Sequence, residues 1–258
     1  MARKTKIAFF ETEEWEKEYI LQKLAGQDVS FFTEPLTAEN LNDAKHCDII
    51  SPFIYSKIDK KILSQLPSLK FVSTRSTGFD HIDIGETKNR QVIVSNVPFY
   101  GENTVAEHTF ALLLSLSRKL FNSAERARKG DFSLEGLRGF DLKEKTLGIV
   151  GLGHIGSHVA RIAKGFEMNV LAYDVKEDKK LAKKIGFKYT GLEDLLAKSD
   201  IISLHAPYNK NTHHLINSGN INLIKKGAYL INTARGQLVE TSALLEALSE
   251  GILAGAGL

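Results

Sequence analysis

Apolar residues in this chain gather in short runs separated by longer amphipathic stretches. The runs are "KIAFF" (6–10), "VSFF" (29–32), "CDIIS" (47–51), "LKFVS" (69–73) and "VIVSN" (92–96), then "TLGIV" (146–150), "NVLAYD" (169–174), "DIISLH" (200–205) and "AYLINTA" (228–234). Short β-branched or aromatic runs read as strands. Strands that are apolar on both faces and alternate with helical stretches belong in parallel sheets covered by helices. The pattern predicts an α/β protein, and the closing "LAGAGL" reads as part of a further strand.

The rhythm breaks at "SNVPFYGEN" (95–103), where Pro98 and Gly101 interrupt any regular element. The seam predicts two domains, residues 1–100 and 101–258. A long helical pattern follows over 103–119, within "NTVAEHTFALLLSLSRKL" (103–120), with apolar residues around most of its circumference. Such a helix is buried on several sides, either between domains or against a second subunit, and a homodimer interface is the favoured expectation. No internal repeat or low-complexity tract is visible.

Composition narrows the class. With 258 residues, 43% of them hydrophobic, the chain has enough apolar side chain for one or two cores. The net charge of +3 comes from interspersed charges, which gives no electrostatic footprint for nucleic acid. The single cysteine, Cys47, has no internal partner for a disulfide. The start of the chain has too short an apolar stretch for a signal peptide. The longest apolar run, near "FALLLSL" (110–116), falls far short of the roughly 20 residues a membrane span needs. A reduced, cytoplasmic protein with no membrane or nucleic-acid partner is expected.

The strongest local signal is "TLGIVGLGHIGSHVARIAKGF". Gly151, Gly153 and Gly156 form G-x-G-x-x-G directly after an apolar strand and at the start of a helix carrying Val159, Ile162 and Ala163. In a dinucleotide-binding turn the first glycine permits the tight bend, the second lets backbone approach a pyrophosphate, and the third lets helix and strand pack closely. Glycine-rich turns also occur merely to pack chains. Here the next strand ends in Asp174, about 20 residues on, where an acid bonds the adenosine ribose and repels a 2′-phosphate. NAD is expected over NADP, with Lys176 nearby as the one feature against strictness.

The histidines divide. His154 and His158 are spaced for a metal on a helix, but His154 is expected in the glycine loop before the helix begins, and no metal is predicted. Glu107 and His108 are helix neighbours that point apart. His213 and His214 lie in a polar loop and are assigned to solvent. His205 falls at a strand's carboxyl end, where open parallel sheets bind ligands, and is expected to line the cofactor site. "LINTARGQLVE" (230–240) raises a separate question, because Arg235 follows a strand apolar enough to be buried. A buried guanidinium needs a partner, supplied internally or by a ligand.

These motifs, with "VSTRSTGFDHIDI" and "VSNVPFYGENTVAEHTFALLL" upstream, together resemble the D-isomer-specific 2-hydroxyacid dehydrogenases, over about residue 48 to the end. "RSTGFDHID", "GDFSLEGLRGFDL" and "NTHHLIN" look most like the D-lactate dehydrogenases of that family. The resemblance implies a Rossmann-type doubly wound NAD-binding domain at 101–258, a smaller flavodoxin-like substrate domain at 1–100, and an active site in the cleft. It implies that Arg235 binds the substrate carboxylate and polarises the carbonyl. Backbone N–H groups of Thr77 and Gly78 would hold the same carboxylate, and Tyr100 would contact the substrate. For the cofactor it implies Gly151, Gly153, His154, Ile155 and Gly156 at the pyrophosphate, Asp174 on the ribose, His205, Ala206 and Pro207 beside the dinucleotide, and Thr233 and Ala234 toward the nicotinamide. A planar guanidinium that grips a carboxylate bidentately suits the Arg235 assignment on physical grounds.

The implied reaction is hydride transfer between NAD(H) and a small 2-keto or 2-hydroxy acid, pyruvate and D-lactate first. A phosphoglycerate or a glyoxylate and hydroxypyruvate type stands as the alternative within the chemistry, and an NAD-sensing, non-catalytic binding protein outside it. The family's acid-base glutamate and histidine follow the point at which "LAGAGL" ends, so the chain is expected to be an incomplete copy of a longer protein.

Overall fold

The computed structural model describes residues 3–258. The chain forms two compact units, the first ending at Tyr100 and the second spanning Gly101–Leu258. The first runs β1 (Lys6–Phe9), α1 (Glu14–Lys23), β2 (Asp28–Phe31), β3 (Ile49–Ser51), α2 (Lys60–Ser64), β4 (Phe71–Ser73), α3 (Ile84–Asn89) and β5 (Ile93–Ser95). Its strands are all parallel, in the order β2-β1-β3-β4-β5. That is the flavodoxin-like order, and it reverses between β1 and β3. Ala8, Phe10, Ile50 and Val72 form the core with Leu36, Ile58 and Leu63, and Phe10 stacks on Phe32 with ring centres 4.8 Å apart.

The second unit runs α4 (Glu102–Ser117), α5 (Leu120–Arg128), β6 (Thr146–Val150), α6 (His154–Gly165), β7 (Asn169–Tyr173), α7 (Lys179–Ile185), β8 (Lys188–Tyr189), α8 (Leu192–Lys198), β9 (Ile201–Leu204), β10 (Ala228–Asn232), α9 (Thr241–Ser249) and β11 (Leu253–Gly257). The strand order β11-β10-β9-β6-β7-β8, all parallel, is that of a Rossmann sheet with its reversal between β6 and β9. Central strands are buried on both faces, Ile201 through Leu204 completely so, which explains their unbroken apolar sequence.

Each predicted run corresponds to a strand, with bounds that differ from the run by no more than two residues at either end. Strand β8, two residues pairing with β7 at Leu171 and Ala172, was not predicted, since so short a segment carries no periodicity. The long helical pattern also ends early. Helix α4 stops at Ser117 because Lys119 adopts a left-handed φ of 54° and redirects the chain into α5.

Contacts within its own unit account for one apolar side of α4. Its buried side, Ala106, Phe110 and Leu113, packs on α6, β10 and β11 of its own unit. Two glycines permit the close approach. A Cβ at Gly257 would lie 3.0 Å from Leu112 Cβ, and one at Gly255 would meet Leu116 Cδ2 at 3.4 Å. Phe121 in α5 and Phe132 and Leu134 beyond it are strongly exposed.

Candidate active site

The second unit gathers its chemistry at the carboxyl ends of four adjacent strands. After β6 the chain turns through Gly151, whose φ of +93° only glycine adopts freely. A Cβ there would stand 2.7 Å from the Ala206 nitrogen, so this glycine also admits the loop after β9. Gly156 is needed for packing, since its Cβ would fall 2.0 Å from the Gly151 carbonyl oxygen. Gly153 differs from both. It precedes α6, has no left-handed φ, and a Cβ on it would meet nothing within 4 Å. Nothing in the protein requires glycine there, whereas a ligand approaching the backbone would.

The first turn of α6 begins with His154 and Ile155, and no side chain caps it. Uncapped N–H groups and the positive end of the helix dipole make an anion cradle. His154 is therefore the first helical residue rather than a loop residue before the helix. No group of three or more His, Cys, Asp or Glu among the described residues is placed to hold a metal.

Asp174, at the end of β7, faces this turn. Its Oδ2 accepts the Leu152 N–H at 2.6 Å and its Oδ1 the Lys176 N–H at 2.9 Å. Each carboxylate oxygen keeps a lone pair for a further donor, which suits a diol. The turn, the uncapped helix and the acid therefore fit the diphosphate and ribose of a dinucleotide.

After β9 come His205, Ala206 and Pro207. The His205 N–H donates to the Val150 carbonyl at 2.7 Å, and its Nε2 lies 2.8 Å from Ser203 Oγ. Burial pushes the imidazole down to about 4. A ring that titrates so low is neutral near pH 7 and is not poised to exchange protons there.

After β10, Asn232 braces the turn: its Nδ2 donates to the Arg235 carbonyl at 2.9 Å and its Oδ1 accepts the Ala234 N–H at 3.1 Å. The Thr233 hydroxyl donates to Thr109 Oγ1 at 3.0 Å, since Thr109 itself donates to the Val105 carbonyl. Arg235 is part-buried, with Nη1 donating to the Ala234 carbonyl at 2.9 Å.

In the first unit Thr77 and Gly78 follow β4. Thr77 Oγ1 donates to the Val97 carbonyl and Asn96 Nδ2 to the Thr77 carbonyl, both at 2.8 Å. Ser76 Oγ reaches the Gly78 carbonyl at 2.6 Å. This loop is held through its carbonyls and hydroxyls. Tyr100, which closes the unit, is exposed.

Other readings change. The rings of His213 and His214 stack 3.9 Å apart, with the Tyr208 hydroxyl 3.3 Å from His213 Nδ1, so this pair is packed rather than merely solvated. Glu107 and His108 lie exposed on α4. Sequence reading missed Glu11 and Arg75, whose carboxylate and guanidinium organise the strand ends of the first unit. The available signal was an acid placed directly after the apolar run "KIAFF".

Comparison with known proteins agrees with this geometry. The family profile of the D-isomer specific 2-hydroxyacid dehydrogenase NAD binding domain matches residues 110–258. A 2-hydroxyacid dehydrogenase homolog of Zymomonas mobilis is 41% identical over 233 residues, 89% of this chain and 70% of that protein. A glyoxylate reductase of Thermococcus litoralis is 39% identical over 225 residues, 84% of this chain and 68% of its own. The crystal structure of Aquifex aeolicus D-lactate dehydrogenase, complexed with NAD and lactic acid, superposes with a TM-score of 0.92 at 41% identity, covering 98% of this chain and 76% of that one. The chain belongs to the D-isomer-specific 2-hydroxyacid dehydrogenases, NAD-dependent oxidoreductases, and residues 110–258 are its NAD-binding domain.

Proposed function

We propose that this protein reduces a small, unphosphorylated 2-keto acid, pyruvate first, to its D-2-hydroxy acid. NADH would supply the hydride to the carbonyl carbon while a proton from the medium goes to its oxygen, giving NAD and the alcohol, and the residues of this chain bind and orient. Gly151, Gly153, Gly156, His154 and Ile155 cradle the diphosphate, and Asp174 accepts the ribose hydroxyls and disfavours a 2′-phosphate. His205, Ala206 and Pro207 line the dinucleotide, with Thr233 and Ala234 toward the nicotinamide. Arg235 grips the substrate carboxylate with two parallel N–H bonds and draws electron density from the adjacent carbonyl, so that hydride attack builds charge against a fixed cation. The Thr77 and Gly78 amides serve the same carboxylate, and Tyr100 the substrate's body.

The observation that carries this reading is the cluster at the carboxyl ends of β6, β7, β9 and β10, with Arg235 braced by Asn232. A substrate without phosphate is favoured because Arg75, the guanidinium nearest in sequence to Thr77, is already engaged. Its Nε lies 3.2 Å from Glu16 Oε1 and its Nη atoms donate to the Ser51, Phe10 and Glu11 carbonyls. The lactic acid bound by the Aquifex aeolicus enzyme supports a short side chain. The Thermococcus litoralis relative makes glyoxylate the first competitor.

The test is NADH oxidation with pyruvate, glyoxylate, hydroxypyruvate and phenylpyruvate. Pyruvate should give the highest kcat/KM. A higher value with glyoxylate would reassign the substrate, and tight NADH binding without turnover on any of them would make the protein a cofactor-sensing module.

A cytoplasmic homodimer belongs to the same proposal. The buried thiol of Cys47 suits a reducing compartment. Exposed Phe121 and Phe132, 80% and 81% accessible, supply apolar side chains for a second copy to cover. Phe121→Ser with Phe132→Ser should shift the sedimentation coefficient from dimer to monomer. An unchanged value would remove this surface from the interface.

A further inference from the structure

In open α/β sheets the crevice where strand order reverses is the usual place for a ligand. In the first unit that crevice, between β1 and β3, is filled by the chain itself. Glu11 leaves β1 with a left-handed φ of 58°, a conformation that costs a non-glycine residue, and turns its carboxylate to the loop after β3. Oε2 accepts the N–H groups of Ile54 at 2.7 Å and Tyr55 at 2.8 Å. Oε1 accepts those of Phe53 at 3.3 Å and Ser56 at 2.8 Å, together with the Ser56 hydroxyl. Successive backbone N–H groups converging on one point form an anion-binding nest, and here the anion is a side chain. Burial opposes its ionisation, but the bonds from Ser56, Tyr55 and Ile54 outweigh that and hold the carboxyl below its ordinary value of 4.5.

The nested loop also carries its neighbour. The Phe53 carbonyl accepts Thr74 Oγ1 at 3.0 Å, Thr74 Oγ1 and Ser76 Oγ lie 2.7 Å apart, and Ser76 Oγ reaches the Gly78 carbonyl. The Arg75 N–H donates to the Pro52 carbonyl at 3.0 Å, and its guanidinium ties that segment back to β1 and β3. A continuous set of hydrogen bonds therefore runs from the Glu11 carboxylate to the Thr77–Gly78 loop.

We propose that Glu11 is a positioning residue, a built-in anion at the switch point of the first unit, which holds the Thr77 and Gly78 amides in the geometry that receives the substrate carboxylate. The inference rests on the assignment of those amides to the substrate.

Glu11→Ala empties the nest. Its keto-acid KM should rise about tenfold, the scale of one displaced hydrogen bond, with a smaller change in kcat and unchanged NADH affinity. Added potassium acetate should lower that KM again by supplying the missing carboxylate, with no such effect on the unmodified protein. Glu11→Gln should not be rescued, because its amide NH₂ faces N–H donors and stays in the way. Amide hydrogen exchange gives a readout independent of turnover: residues 53–56 and 76–78 should exchange faster together in Glu11→Ala and slow again with acetate. A folded Glu11→Ala protein with normal KM and normal exchange at 76–78, or one indifferent to acetate in both, overturns the proposal. If Glu11→Ala does not fold, Glu11→Asp carries the test, since a carboxylate one methylene short should give intermediate KM and exchange, and wild-type behaviour in both overturns the proposal. Should the unmodified protein reduce no 2-keto acid, the functional reading falls, while exchange still decides whether Glu11 holds residues 76–78.

Discussion

Arg235→Ala should lower kcat/KM for pyruvate by about 10²- to 10³-fold while leaving NADH affinity near that of the unmodified protein. Removing a charged, bidentate partner from a desolvated site costs on the order of 2–5 kcal/mol, at about 1.4 kcal/mol per factor of ten. Both KM and kcat should suffer, because the guanidinium binds the carboxylate in the ground state and meets growing charge on the carbonyl oxygen in the transition state. Arg235→Lys should recover little, since a point charge lacks the planar fork that fixes the acid's orientation. Asn232 still braces the turn of the variant through backbone atoms of Ala234 and Arg235. Steady-state kinetics and NADH fluorescence titration check both halves. A kcat/KM within twofold of the unmodified protein would remove Arg235 from the substrate site.

The glycines of the turn should separate packing from binding. In Gly156→Ala the new methyl falls 2.0 Å from the Gly151 carbonyl oxygen, a distance no rotation of a side chain relieves because the oxygen is backbone and the Cβ is fixed to its own Cα. Helix α6 must move off β6, at about 2–4 kcal/mol of stability. In Gly153→Ala the methyl enters open space, so thermal stability should hold or rise slightly through the lower entropy of the unfolded chain. NADH affinity should nevertheless fall at least tenfold, because that space is where the diphosphate approaches the helix N-terminus. Thermal denaturation and cofactor titration of the two variants should give opposite patterns. A destabilised Gly153→Ala protein with normal NADH binding would mean that the second glycine serves the fold.

Features written within a few residues of one another were readable from sequence. The G-x-G-x-x-G turn, Asp174 at the next strand end and Arg235 after "LIN" each announce themselves by local pattern, because strand, turn and helix start must follow directly for the chemistry to work. What sequence left hidden depends on contacts across the fold. Glu11 acts on residues 53–56, and nothing near it in the chain marks them as its donors. The low pKa of His205 comes from burial, which the loop sequence "APYNKN" after it gives no hint of. The covering of α4 by its own unit depends on Gly255 and Gly257, residues that read in sequence only as small members of a strand. Strand β8 escaped because two residues cannot show a period.

The seating of α4 on β11 sets an order of events during synthesis. Leu112 meets Gly257, so α4, which opens the second unit, finds one of its seats only when β11 has been made. Until then the side chains destined for that contact stay wet on the nascent chain, while the sheet from β6 outward can already assemble. A contact between segments so far apart in sequence closes late and slowly. A ribosome paused before residue 253 should therefore display a half-built unit that attracts chaperones through the flank of α4.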